Sequence, residues 1–495
     1  MNLKLCIACL LTIFATGING YAQDISKIID TSNHPEAFWS LTVLDEDGNT
    51  LEAINDNKLI IPASNQKLYT LAAVIDRLGP DYKYTTKIYG DGRLENGTWK
   101  GNLIIAGSGD PSISGFLYDE DRYYVFNELY NQLKDFGIER IEGEVLANET
   151  YFDDQVYPKG WDWYDLTFYY GVEVSALSFN NNAVDIEVFA EGKVGDKPRV
   201  THFPSTYPVQ LAKGPLDRLE SPGITIVNNQ TIAERNTKYD EDYKRKPGTN
   251  VLKLGSMLPQ GYYEDEALAI TNAGFFFVES FEQYLNEQGV KVNPSEEHRI
   301  KDYTPFIELG DFEVLATHYS KPLAELVKWA NKESDNFYVE MMLKTLAAEF
   351  QEIPGTFDNG IQEVRNFLAE QELDTTLVLM NDGSGLAMGN YTTTSNISRL
   401  LSQMKGHASF TEFYNSFPIA GIDGTIAHRF KGTELYTNLR AKTGYVGGVR
   451  TLSGYFTTKT GNEIIFSLAT NHFVGKVRYV DATHQQIIEA LYEKY

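Results

Sequence analysis

Apolar and polar residues alternate over Phe38–Leu44 and again over Thr50–Ile54, with Asp47-Gly48 between the two runs. A period of two broken by Asp-Gly reads as a β-hairpin. In the next stretch, IIPASNQKLYTLAAVIDRLG, residues Leu68, Leu71, Ala72 and Ile75 recur at helical spacing behind Pro62 and Ser64, so a helix begins near Ser64. From about residue 87 to 311 the texture changes to short β-like runs such as 102–106 and 184–189, many turns and a dense aromatic patch, GWDWYDLTFYY (160–170). Helical spacing resumes in PLAELVKWANKESDNFYVEMMLKTLAAEF, and the last hundred residues carry two β runs, 439–457 and 463–469, before a closing helical pattern over 481–492. No fixed-period repeat or low-complexity tract interrupts this order. The pattern predicts a domain of helices and sheet, built from 23–86 and 312–495, around a mostly β insertion at 87–311.

Composition narrows the possibilities. The chain of 495 residues is 42% hydrophobic and 13% aromatic, which is enough to bury a sizeable core and excludes wholesale disorder. Its 43 Lys and Arg against 68 Asp and Glu leave a formal charge of −25, which argues against nucleic-acid binding, since affinity for phosphate backbones comes mainly from basic side chains. Residues 1–22, MNLKLCIACLLTIFATGINGYA, have one charge at Lys4, an apolar stretch and then small residues, the layout of a secretory signal. Both cysteines, Cys6 and Cys9, lie in that segment. Cleavage after Ala22 is expected to leave an exported chain of charge −26 with no thiol, and so no disulfide, thiol nucleophile or cysteine metal site. No later stretch is long and apolar enough to span a membrane.

Three short motifs then appear in order: Ser64-Asn65-Gln66-Lys67, Ser334-Asp335-Asn336 and Lys442-Thr443-Gly444. They match the S-x-x-K, S-x-N and K-T-G set of penicillin-recognising serine acyl transferases. Serine is a poor nucleophile until its proton is removed, and a residue three positions on lies over the same helical face. Lys67 is therefore placed to take the Ser64 proton, provided burial and a second cation, Lys442, disfavour its ammonium. Ser334 is expected to relay a proton to the leaving amine, Asn336 to hold the substrate amide and Lys67, and Thr443 to bind a substrate carboxylate. Each motif has a decoy: Ser402–Lys405, Ser178–Asn180 and Lys459–Gly461. Context separates them, because Ser402 sits inside a helical run, Ser178 opens a β run, and Lys459 lies in a turn between strands.

With the segments AGSGDPSIS (106–114), LANETYFDD (146–154), SALSFNNNAV (175–184), DGSGLAMGN (382–390), FPIAGIDGTIAHRFKGT and LRAKTGYVGGVRTLSGYFTT, the chain resembles the class C low-molecular-mass penicillin-binding proteins, the D-alanyl-D-alanine carboxypeptidase/endopeptidase family. The resemblance implies an α/β (α+β) β-lactamase/transpeptidase-like serine acyl transferase domain with a five-stranded antiparallel sheet between helices. It also implies two small β-rich domains filling the gap of about 270 residues between Ser64 and Ser334. The implied reaction is attack by Ser64 on a D-alanyl-D-alanine terminus or cross-link of peptidoglycan, with the oxyanion held by the N–H groups of Ser64 and Tyr445, after Gly444. β-Lactams are expected to acylate the same serine. Trp161, Asp165 and Tyr169 resemble family residues around the third stem residue of the substrate, with aromatic packing as the alternative.

Two positions depart from the family pattern. Tyr445 replaces the usual threonine after K-T-G, relocating a hydroxyl that helps hold a terminal carboxylate and weighting the expectation towards endopeptidase activity and β-lactam binding. Met388 stands where a basic residue often pairs with a carboxylate of the third stem residue.

Other candidates carry less. Gly107-Ser108-Gly109-Asp110 lacks the remaining signature of a phosphate loop and reads as a turn. The eight histidines form no metal-binding pair, so neither metal nor cofactor is expected; His428 reads as a surface or packing residue and Asp423 as a turn residue. Glu282–Asn286 mimics the deacylating loop of class A β-lactamases but precedes Ser334, the wrong order, and reads as an amphipathic helix. A β-lactamase and an idle cell-wall-binding scaffold are the rival readings. The expected setting is a bacterial periplasm or cell envelope.

Overall fold

In the computed structural model, which describes residues 24–204, 209–211, 224–246, 248–292, 309–351 and 353–495, the two ends of the chain meet in one antiparallel sheet. The signal expected at 1–22 lies outside the described residues. The strand order is Thr50–Ile54, Phe38–Leu44, Glu463–Asn471, Val449–Thr457 and Arg440–Val446, so the first hairpin docks beside strands some four hundred residues later. Alternation in Phe38–Leu44 sorts Trp39, Leu41 and Val43 onto a face covered by the helices Ile25–Asp30 and Val477–Lys494. Ser40 and Thr42 face the other way and are also buried, their hydroxyls meeting Thr394 Oγ1 at 2.8 and 3.0 Å. On that face pack the helices Lys67–Leu78 and Thr394–Met404, backed by Leu323–Lys332, Asn336–Phe350 and Phe357–Glu370 in a second core. The arrangement is an antiparallel sheet between helices, as expected.

One sequence run breaks where the pattern alone showed continuity, and another breaks at Ser334 as its interrupted helical pattern predicts. The run 439–457 is a hairpin turning at Gly447 and Gly448, the latter at φ +72°, because the apolar alternation continues in both strands and masks the turn. The helical stretch before Phe350 is two helices parted at Glu333–Asp335, with Ser334 at φ +61°.

The insertion is attached through a sheet of its own. Thr85–Gly90 pairs with Leu103–Gly107 on one side and Glu313–Tyr319 on the other, with Val145–Asn148 at the edge. The boundary placed between 86 and 87 thus falls inside a strand, and the strand following 312 is hydrogen-bonded to the inserted sheet rather than to the terminal one. Strand pairing overrides the change in texture there, because an unpaired strand edge leaves backbone groups unsatisfied. The inserted sheets and the helices Tyr124–Asp135 and Ala273–Glu287 share one hydrophobic cluster, with Phe126 and Phe179 stacked at 4.4 Å near its centre. Glu282–Asn286 lies within the second of these helices, as its amphipathic spacing predicted.

Candidate active site

Ser64 lies in a 3₁₀ turn, Ala63–Gln66, that runs directly into the helix Lys67–Leu78. Ala63 just before it has φ +46°, a left-handed conformation that a side chain disfavours and that occurs here at the turn presenting the serine. Two glycines permit that presentation. A Cβ on Gly385, itself at φ +85°, would stand 1.9 Å from the Ala63 carbonyl oxygen, and one on Gly444 would stand 2.9 Å from Ser64 N. The K-T-G strand and the 382–390 loop therefore press on the serine turn from two sides.

Lys67 is completely buried. Its Nζ lies 3.2 Å from Ser64 Oγ, 2.5 Å from Asn336 Oδ1 and 2.8 Å from the Ser384 carbonyl oxygen. Burial lowers its ammonium from 10.5 to about 8, opposed by the charges of Asp382, Glu340 and Asp335. The expected like-charge effect falls on Lys442 instead. Lys442 is fully buried, its Nζ has no hydrogen-bond partner among the described residues, and burial, then Lys67 and Arg450, push its ammonium well below the usual range.

Asn336 opens its helix, capped by the Asp335 carboxylate accepting from Tyr338 N at 3.1 Å. Its Nδ2 donates to the Tyr170 carbonyl at 2.9 Å, so the aromatic segment of the insertion reaches the site through its backbone. Thr443 Oγ1 donates to Thr425 Oγ1 at 2.7 Å. Ala441 N–H bonds outward to the Pro418 carbonyl, and strand alternation aims the N–H of Tyr445 to the same open edge. The Tyr445 side chain is 55% exposed and pairs across the strands with Arg450, which Asp481 holds at 2.7 Å.

The remaining predicted residues separate. Trp161 donates its indole N–H to Asp382 Oδ2 at 2.9 Å, which fixes it against the loop carrying Ser384. Asp165 is half-buried, its carboxyl raised by burial and by Asp162, while Tyr169 is 55% exposed and Met388 is 45% exposed. Asp423 accepts from Ile419 N at 2.8 Å and pairs with Lys332, a turn role, and His428 is exposed. The decoys lie elsewhere: Ser402 in the helix Thr394–Met404, Ser178 before the strand Ala183–Phe189, and Lys459 in the turn before Glu463–Asn471. Among the described residues no group of three or more His, Cys, Asp or Glu is arranged to hold a metal ion, and no helix is long and apolar enough to cross a membrane. Glu340 and Asp382, which hold the Ser384 loop, were not singled out from sequence, although Glu340 follows Asn336 by one helical turn.

Known proteins resemble this chain in sequence and in fold. Over 415 residues the chain is 26% identical to the D-alanyl-D-alanine carboxypeptidase DacB of Haemophilus influenzae, covering 83% of this chain and 80% of that one. It is 28% identical over 472 residues to the D-alanyl-D-alanine carboxypeptidase of an Actinomadura strain, covering 92% and 81%. The crystal structure of penicillin-binding protein 4 (dacB) from Haemophilus influenzae superposes with a TM-score of 0.79 at 23% identity, over 95% of this chain and 99% of that one, which shows a shared fold. The match to one family runs through residues 21–491, nearly the whole sequence: the chain belongs to the D-Ala-D-Ala carboxypeptidase 3 (S13) family.

Proposed function

We propose that this enzyme is a serine DD-peptidase of peptidoglycan in which Ser64 attacks the carbonyl of a penultimate D-alanine, at a chain terminus or a cross-link. The observation that carries the assignment is Lys67: completely buried, lowered to about 8 and 3.2 Å from Ser64 Oγ. Near neutral pH part of this lysine is free amine, the form that takes the serine proton. The developing oxyanion is held by the N–H groups of Ser64 and Tyr445, brought together by the close approach of Gly444 to the serine turn. Expulsion of the amine needs a proton, and Ser334 beside Asn336 relays it. Water then hydrolyses the acyl-enzyme.

Thr443 and Lys442 receive the substrate carboxylate. An incoming anion supplies the counter-charge that Lys442 lacks, so its ammonium is favoured when substrate is bound. Asp165 and Tyr169 border the third stem residue, while Trp161 supports that border by anchoring on Asp382. A β-lactam offers the same carbonyl and carboxylate and acylates Ser64. A crystal structure of the Haemophilus influenzae protein complexed with a β-lactam, which superposes with a TM-score of 0.73, supports this reading. The enzyme works in the bacterial envelope after removal of residues 1–22.

The test is labelling by a fluorescent penicillin together with digestion of purified monomeric and cross-linked muropeptides. Wild type is expected to form an adduct on Ser64 and to release D-alanine or split cross-links, and Ser64→Ala to do neither. Absence of an adduct on the wild-type serine overturns the proposal, and the ratio of the two digestion products sets the balance of carboxypeptidase to endopeptidase.

A further inference from the structure

The segment Gly383-Ser384 is gripped from both sides. Its two carbonyls face the nucleophile's helix, Gly383 O accepting from the Thr70 hydroxyl and Ser384 O from Lys67 Nζ, each at 2.8 Å. Its two N–H groups face the opposite helix and donate to one carboxyl group, that of Glu340, which burial and then the Asp382 charge push up to about 8: Gly383 N at 3.0 and 3.1 Å to its two oxygens, Ser384 N at 2.7 Å to Oε1. Glu340 is completely buried and stands one turn after Asn336. One face of the helix Asn336–Phe350 therefore holds Lys67 twice, directly through Asn336 and indirectly through Glu340 and the Ser384 carbonyl.

The loop has little freedom to put that carbonyl elsewhere. Asp382 accepts from Gly385 N and Ala387 N, both at 2.7 Å, and from Asn390 Nδ2 at 2.8 Å, while the Ala63 carbonyl blocks any side chain at Gly385.

The chemistry of an amine gives this grip a purpose. A neutral lysine has two N–H groups and one lone pair. When Asn336 Oδ1 and the Ser384 carbonyl occupy the two N–H groups, the lone pair is left for the Ser64 hydroxyl. We propose that Glu340 is a positioning residue for acyl transfer: by holding the N–H groups of Gly383 and Ser384 it fixes the carbonyl that orients the Lys67 amine toward Ser64. Glu340 touches neither substrate nor nucleophile: it acts through that loop, and its charge adds to the field on the Lys67 ammonium.

This inference rests on the Ser64 assignment above, and its test separates the two. Acylation by a chromogenic β-lactam is followed by stopped flow in wild type, Glu340→Gln and Glu340→Ala, with unfolding midpoints measured alongside. Misdirecting the base without touching the binding residues is expected to cut the limiting acylation rate of Glu340→Ala on the order of 10²-fold. The half-saturating concentration should move less than about threefold, because binding contacts are spared. Gln keeps an oxygen where Glu340 Oε1 already receives both N–H groups, so Glu340→Gln is expected within about tenfold of wild type. A folded Glu340→Ala that acylates like wild type overturns the inference, as does a Gln variant no better than Ala. If Ala does not fold, Gln decides alone, and a loss beyond about a hundredfold overturns it. Failure of wild type to acylate at Ser64 instead brings down the functional assignment.

Discussion

Two buried lysines, Lys344 on the helix Asn336–Phe350 and Lys67 against its N-terminal end, differ in whether a carboxylate touches them. Lys344, in the middle of that helix, meets the Asp153 carboxylate at 2.6 Å and the Asp153 and Gln155 carbonyls at 3.3 and 3.0 Å, between the rings of Phe152 and Phe357. Lys67, at the N-terminal end, meets an amide oxygen, a carbonyl and a hydroxyl, and the nearby carboxylates act on it as charges, not as hydrogen-bond partners. Burial lowers both ammonium groups, but only Lys344 has a carboxylate in contact to oppose it. A paired buried lysine ties the loop after Val145–Asn148 to the catalytic helices; an unpaired one is available to give up a proton. Charge compensation within contact distance, more than depth of burial, distinguishes the tether from the proposed base.

The comparison breaks most sharply at Lys67. Lys67→Ala should lower acylation of Ser64 by about 10²–10⁴-fold, the usual contribution of a positioned base, with little change in thermal unfolding; a folded variant that keeps its rate would move the base elsewhere. The pH profile follows from the same group. Because only the free amine accepts the serine proton, and folding lowers Lys67 to about 8, the acylation rate should rise with pH through about 8 and level above it. A rate flat across that range would show that the amine is not the base.

Lys344→Met is expected to act oppositely. It leaves the partly buried Asp153 uncompensated and should cost about 3 kcal/mol in denaturant unfolding, while the acylation rate of folded enzyme stays within about threefold. Large catalytic loss without destabilisation would erase the distinction between the two lysines. The smallest effect belongs to Trp161→Phe, which keeps a ring but removes the indole N–H from Asp382, whose Oδ2 still accepts from Ala387 N. A cost of about 1 kcal/mol in stability is expected, with a modest fall in acylation, read from melting curves and label kinetics.

Much of this site is legible in sequence because its chemistry is local. Ser64 and Lys67 are three residues apart on one turn, Ser334 and Asn336 share a break between helices, and Lys442 to Tyr445 share a strand. What holds them is not local. Lys67 reaches Asn336 across 269 residues and the Ser384 carbonyl across 317. The Ser384 contact is made by backbone, which leaves no side-chain signature. Glu340 falls at helical spacing from Asn336, but the same spacing describes any core position until the 382–390 loop is known to lie against it. The resemblance offers Trp161 a place at a substrate pocket, with aromatic packing as the alternative, and its contact with Asp382 adds an anchoring part that the sequence does not show.

The fold divides in the same way. Alternation and helical periodicity located the first hairpin, the nucleophile's helix and the closing elements, since burial of one face imposes a period that composition must follow. That periodicity does not say which strands pair. The docking of Phe38–Leu44 onto Glu463–Asn471 and the sharing of Thr85–Gly90 with the insertion are settled by long-range hydrogen bonding. The sequence alone determined which groups are available for acyl transfer, because the hydroxyl, amine and amide are written in three short motifs. Tertiary structure alone decided the protonation of Lys67 and the direction of its lone pair, because both depend on burial, distant carboxylates and a carbonyl supplied from the far end of the chain.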